Sequence, residues 1–236
     1  MRKIDICLSP ELLHLYDISD KTVVIVDILR ATSCMVAGIS NGVERIIPFD
    51  DLQKCLAMKE QGFITAGERG GEKVDGFDIG NSPFSYMAPE LKGKSVAVTT
   101  TNGTRAIELS KGAAQILIAS FLNLNATSNF ILQSNHPVII LCAAWKGRVN
   151  LEDTLFAGAL ANLLLKNDFE TECDATLVAT QLYENVEDDL DKALKNSSHV
   201  RRLQKFGIQK DIDYCIKRNE FNTVVGILNN EIKRLV

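Results

Sequence analysis

Asp27 closes the apolar run VVIVDILRATS (23–33), and Arg30, Thr32 and Ser33 follow where a helix is expected to start. A carboxylate at a strand tip can hold a divalent cation or act as a nucleophile. An arginine three residues later can grip a phosphate in a bidentate fork. Carboxylates are seldom left on buried strands without a partner. The plainer role for this segment is Thr32 or Ser33 as an N-cap with Asp27–Arg30 as a local ion pair.

Three further segments carry residues of the same kind. The long stretch AGERGGEKVDGFDIGNSP (66–83) offers Glu68 to a metal and Arg69 to an anion, with glycines that permit close backbone approach. VTTTNGTRAIEL (98–109) runs from a strand through Asn102, Gly103 and Thr104 to Arg105. Hydroxyls, an arginine and free N–H groups at a helix start make an anion cradle there. LCAAWKGRVNLEDTL (141–155) leads through Lys146 and Arg148 to adjacent acids, Glu152 and Asp153. Acids favour a first helical turn for dipole reasons alone, but such a pair also suits Mg²⁺, which takes one or two carboxylates plus waters and phosphate oxygens. No Gly-x-x-x-x-Gly-Lys-Ser/Thr and no Gly-x-Gly-x-x-Gly occurs, which excludes a P-loop and a dinucleotide fingerprint.

The four segments together supply Asp27, Glu68, Glu152 and Asp153 as hard oxygen ligands, and Arg30, Arg69, Arg105 and Arg148 as anion grips. Without a histidine or cysteine cluster, Mg²⁺ is favoured over Zn²⁺. These are the parts of phosphoryl-transfer chemistry, so the expected reaction is magnesium-dependent chemistry on a small phosphorylated acid. His199 with Arg201 and Arg202 reads as a helix start with a solvated basic face, although it could also supply a basic edge or an acid to the site. His14 and His136 read as structural, and Cys142 as a buried small residue.

The elements that must hold these groups follow from the apolar pattern. Strand-length Val/Ile-rich runs lie at 4–8, 22–28, 45–49, 63–66, 95–100, 115–120 and 138–143. Helical periods lie between them near 31–41, 50–61, 103–111, 123–133 and 151–166. Few polar residues interrupt the strands, as in sheets buried on both faces. The expected fold is therefore α/β, a layered α/β/α arrangement with a largely parallel, or mixed, sheet. Residues 1–170 form the α/β core carrying the site. Residues 171–236 form a mostly helical C-terminal region packed on that core, with three helical candidates over 174–218.

The 236 residues are 46% hydrophobic and 24% charged, which supplies a sizeable core and excludes disorder as the dominant state. A net charge of −4 lacks the basic footprint of a general nucleic-acid binder. No run reaches the length of a membrane span. Asp5 and Glu11 break the N-terminal apolar run, and the six cysteines are scattered with no Cys-x-x-Cys pair, so the expected location is cytoplasmic. A homodimer is the default expectation for a soluble enzyme of this size.

In series, Asp27-Ile-Leu-Arg-Ala-Thr32, the run Gly67 to Pro83, Thr99-Thr-Thr-Asn-Gly-Thr-Arg105, Ser120-Phe-Leu-Asn123 and Leu151-Glu-Asp-Thr154 resemble the 2-phosphosulfolactate phosphatase family in order and spacing. The resemblance covers nearly the whole chain. It implies an α/β acid phosphatase that requires Mg²⁺ and hydrolyses 2-phosphosulfolactate to 3-sulfolactate and phosphate, a step towards coenzyme M. On that basis Asp27, Arg30 and Arg105 are expected to be catalytic. Thr32, Arg69, Asn102, Gly103, Thr104 and Arg148 are expected to bind the substrate, and Asp27, Glu68, Glu152 and Asp153 the metal. Whether Asp27 attacks or a metal-bound water does stays open. The alternatives are a phosphatase of another small phosphorylated hydroxy acid, and a non-catalytic phosphometabolite-binding protein. Ala144–Trp145 stand where the family has a Gly-Thr-like pair, which places an indole beside the candidate site.

Overall fold

The computed structural model describes residues 2–236. Its strands are β1 (Arg2–Cys7), β2 (Thr22–Val26), β3 (Arg45–Pro48), β4 (Ile64–Arg69), β5 (Glu72–Lys73), β6 (Ser95–Thr99), β7 (Gln115–Ala119), β8 (Val138–Cys142), β9 (Phe169–Glu170), β10 (Val225–Leu228) and β11 (Glu231–Arg234). Its helices are α1 (Ala31–Ser40), α2 (Leu52–Ala57), α3 (Pro83–Tyr86), α4 (Gly103–Leu109), α5 (Leu124–Leu132), α6 (Leu151–Leu165), α7 (Asp174–Glu184), α8 (Leu190–Leu194), α9 (Ser198–Gln204) and α10 (Gln209–Cys215).

One mixed sheet runs β5-β4-β6-β3-β11-β10-β7-β2-β8-β1-β9. Alternate residues of β2 show why the architecture is layered. Val24 and Val26 point into a core shared with α5, α6, α7 and the C-terminal helices, while Val23 and Ile25 point into a second core under α1, α3 and α4. Each fully buried aliphatic side chain contributes about 1.5–3 kcal/mol, so β2 is fixed from both sides. The sheet is mixed, mostly parallel and covered by helices on both faces, as the apolar pattern predicts.

The C-terminal hairpin β10–β11 was not predicted. It lies in the middle of the sheet and joins two parallel blocks, pairing antiparallel with β7 on one side and β3 on the other. Three antiparallel pairings in succession leave the blocks β4-β6-β3 and β7-β2-β8-β1-β9 formally opposed in direction. Strands twist by about 20–25° per neighbour, so the six steps from β2 to β4 accumulate roughly 120–150°. That twist swings the carboxyl ends of β2 and β4 towards each other, and Asp27 and Glu68, at those two ends, line the same cavity.

The segment 171–236 thus holds four short helices as well as two central strands. Asp189 caps α8 by accepting from Lys192 N, and Ser197 caps α9 by accepting from Val200 N. Four helices therefore stand where the sequence pattern offers three candidates.

Candidate active site

Asp27 emerges from β2 into a tight turn that its own neighbours stabilise. Its N–H donates to Thr32 Oγ1 at 3.0 Å, and that hydroxyl donates back to the Asp27 carbonyl at 3.0 Å. Thr32 is therefore spent on the turn. The Asp27 carboxylate receives only a long bond from Ala31 N, 3.3 Å to Oδ1. Opposite it stands Gly103, where an added Cβ would lie 3.1 Å from Asp27 Oδ2 and 2.8 Å from the Ala31 Cβ. The Asn102 side chain, at the N-cap of α4, makes no capping bond and faces the cavity.

Asp153 works as a brace. Its Oδ1 accepts from Ile28 N at 2.9 Å, and its Oδ2 accepts from Ala144 N at 3.3 Å and Asn150 Nδ2 at 3.5 Å. The first turn of α6 is thereby tied to the turns after β2 and β8. Its neighbour Glu152 is fully buried and hydrogen-bonds His199 Nδ1 through Oε1, while its Oε2 is buried without a hydrogen-bond partner.

Glu68, at the end of β4, accepts from Gly71 N at 2.6 Å and from Thr101 N and Oγ1 at 3.2 Å. Gly70 and Gly71, with φ of 66° and 103°, form the two-residue turn between β4 and β5 that only positive φ allows. Arg30 is buried and pinned at both Nη atoms: Nη1 pairs with Asp211 of α10, and Nη2 donates to the Gly71 carbonyl at 2.9 Å.

Asp27, Arg30, Glu68 and Asn102 line one small cavity with Trp145, His199 and Arg202. The other candidates from the sequence lie elsewhere. Arg69 donates to Thr99 Oγ1 at 2.9 Å and to the Glu68 carbonyl. Arg105 pairs with Glu11 at 2.5 Å on the surface. Both line a separate, more open hollow with Thr100, Thr101 and Thr104. Thr104 is bonded through Oγ1 to the Thr100 carbonyl, and Arg148 is exposed beside Trp145. Cys142 is fully buried, and burial pushes its thiol well up.

The cavity gathers acids at a cost. Burial, with the charges of Glu68 and Glu152 and against the opposing pull of His199, pushes the Asp27 carboxyl up to about 6. Burial beside Glu152 and Asp27 raises Asp153 well above the usual carboxylate range, against the backbone bonds that it accepts. Among the described residues no three acid, histidine or cysteine side chains converge as a preformed metal cage. Mg²⁺ needs no such cage: one or two carboxylates suffice, the remaining positions going to water and phosphate. Mutually repelling buried carboxylates, one with an orphaned oxygen, are a donor set that fits it.

A family profile described as 2-phosphosulpholactate phosphatase matches residues 7–230. The chain belongs to the 2-phosphosulfolactate phosphatase family. Proteins named probable 2-phosphosulfolactate phosphatase resemble it along nearly their whole length. The one from Thermotoga petrophila is 39% identical over 209 residues, 89% of this chain and 90% of its own. Those from Clostridium acetobutylicum and Caldanaerobacter subterraneus are 36% and 34% identical, over 98% and 92% of this chain and 99% and 92% of theirs. Membership in the 2-phosphosulfolactate phosphatase family makes this protein an enzyme, a phosphoric monoester hydrolase.

Trp145, His199 and Arg202 also line this cavity, although the sequence did not place them among the residues expected to bind or react. His199 and Arg202 are three apart on α9 and so share one face of it. That spacing was visible in the sequence, but a basic helix face is ordinarily solvated. Only the placement of α9 over Glu152 turns it inward.

Proposed function

We propose that this enzyme hydrolyses 2-phosphosulfolactate to 3-sulfolactate and inorganic phosphate, a step of the coenzyme M biosynthesis type, with Mg²⁺ and in the cytoplasm. The observation that carries the reading is the meeting of Asp27, its carboxylate held by a single long bond, with His199 and Arg202 in one cavity. Six free thiols accord with a reducing compartment.

Asp27, with Glu68 and Glu152 beside it, would hold the ion, which when bound neutralises phosphoryl oxygens and offsets charge in the transition state. Asn102 supplies an uncommitted amide at the same wall, suited to a phosphoryl oxygen. Arg30, pinned by Asp211 and the Gly71 carbonyl, fixes the β4–β5 turn against α10 and so closes the cavity. His199, doubly protonated with its Nδ1–H on Glu152, would give its Nε2 proton to the ester oxygen as Asp27 or a water forms the new bond to phosphorus and the ester P–O bond breaks, leaving the free hydroxyl of sulfolactate and a neutral imidazole. The same imidazole–carboxylate pairing fixes the tautomer and the ring plane.

Phosphorus NMR of 2-phosphosulfolactate incubated with the protein and Mg²⁺ tests this. The ester resonance should give way to inorganic phosphate, and a chelator should stop the exchange. Persistence of the ester under these conditions, with binding still measurable, would replace the phosphatase by a binder of the same metabolite.

A further inference from the structure

Of the arginines described around the cavity, Arg202 alone lines it with a buried guanidinium nitrogen that has no hydrogen-bond partner. Arg30 has its donors on Asp211 and the Gly71 carbonyl. Arg69 has its own on Thr99 and Glu68, and Arg105 pairs with Glu11. The Nη2 of Arg202 is buried and has no hydrogen-bond partner. A buried donor left unpaired costs about 1–3 kcal/mol, more when charged, so such a group is either a defect or a place kept for a ligand.

Trp145 decides how that guanidinium stands. It is the chain's single tryptophan. Its ring lies 4.0 Å beneath the Arg202 guanidinium carbon and 6.0 Å, centroid to centroid, from His199. Cation–π attraction holds the arginine over the indole face. The indole offers no acceptor to take up the spare donor. Burial pulls the Arg202 guanidinium down, and the carboxylates of Glu152 and Glu68 only partly oppose it.

We propose that Arg202, held over the ring of Trp145, is the specificity-determining cation that grips the acid group retained by the leaving hydroxy acid. This inference rests on the phosphatase reading above. His199 and Arg202 project from the same face of α9 one turn apart, roughly 5–6 Å between their Cβ atoms. With His199 at the ester oxygen, that separation puts the Arg202 fork at an acid group one or two bonds further along the leaving group. A carboxylate and a sulfonate both offer the paired oxygens that such a fork takes. Trp145 is a positioning residue: it orients the arginine.

The test measures kcat/KM for phosphate esters of 2-hydroxy acids against a plain alkyl phosphate, in wild type, Arg202→Gln and Trp145→Leu. The acid esters are one carrying a carboxylate alone, one carrying a sulfonate alone and one carrying both. Arg202→Gln should lower the preference for acid over plain ester at least tenfold, mainly through KM, and Arg202→Lys should restore part of it. Trp145→Leu should lower the same preference less. Loss confined to the carboxylate ester, or to the sulfonate ester, assigns the group that is gripped. An unchanged preference in Arg202→Gln overturns the proposal. Titrating wild-type protein with 3-sulfolactate while following the fluorescence of Trp145 separates this from the phosphatase reading. If no ester is hydrolysed, the reaction assignment fails. A fluorescence midpoint that rises at least tenfold in Arg202→Gln still sustains the grip, and a midpoint that does not move refutes it.

Discussion

His199 Nδ1 is hydrogen-bonded to Glu152 Oε1, joining the first turn of α9 to the first turn of α6 behind the wall of the candidate cavity. The two residues are 47 positions apart, and the pair is almost wholly buried. A buried carboxylate tolerates burial through such a partner, and a buried imidazole gains a fixed tautomer from it. Replacing His199 by Asn removes the proton donor and should lower kcat by about 10²–10⁴-fold, with a smaller change in KM. Glu152→Gln should lower kcat too, because the amide presents a donor as readily as an acceptor to Nδ1. Steady-state rates of phosphate release check both. Full kcat in His199→Asn would remove His199 from the chemistry.

The acids of the cavity make stability depend on pH and metal together. Burial, with Glu68 and Glu152, raises Asp27 from 3.8 to about 6. The folded state thus binds this proton more tightly than the unfolded state. Its contribution to stability is complete below about pH 4 and is lost as pH rises through about 6. Burial raises Asp153 in the same direction. Mg²⁺ binds the ionised form, so it should raise the Tm strongly at pH 7.5 and little at pH 5. At a hundredfold excess over Kd the gain is about 2.7 kcal/mol. Scanning calorimetry with and without Mg²⁺ at the two pH values measures it, and a Tm blind to Mg²⁺ at pH 7.5 would count against metal at these residues.

Arg30 and Asp211 form a buried ion pair, with side chains 5% and 9% exposed. Asp211 also accepts from Ser82 Oγ at 3.0 Å, so it ties α10 to the start of α3. Asp211→Ala leaves the Arg30 charge buried and unpaired, which costs about 3–5 kcal/mol. The β4–β5 turn should also loosen, since Arg30 holds the Gly71 carbonyl. Urea denaturation gives the first effect and hydrogen exchange at Gly70–Gly71 the second.

Much of this site was visible in the residues. Asp27, Glu68 and Asn102 sit where buried strands end, and strand ends were legible from Val/Ile runs alone. Glu152 and Asp153 were legible as acids of a first helical turn, but not their division of labour, which depends on backbone N–H groups of Ile28 and Ala144 brought in by other elements. Arg30 looked free because its partner lies 181 residues away. The hairpin β10–β11 was hidden by its short strands. Its signal was Asn229–Asn230, both at positive φ of 52° and 63°, between VGIL and EIKR. Composition placed this segment with the helices, and only pairing to β7 and β3 makes it the centre of the sheet.

Gly158 sets the approach of α6 to α7. A Cβ there would lie 2.0 Å from the Ala179 carbonyl oxygen and 3.1 Å from the Tyr183 Cβ. The obstacle is backbone, which cannot rotate away. Gly158→Ala should therefore destabilise by about 1–3 kcal/mol or more, outweighing the helix propensity that alanine adds. A Tm equal to or above wild type would show that α7 can shift at no cost.

The most direct test of the whole account is phosphate release from 2-phosphosulfolactate by wild type and Asp27→Asn side by side, each with Mg²⁺ and with EDTA. Wild type should release phosphate steadily with Mg²⁺ and not at all with EDTA, and Asp27→Asn should lose about 10³-fold or more. Equal release by the two proteins, or release by wild type that EDTA leaves untouched, would contradict it.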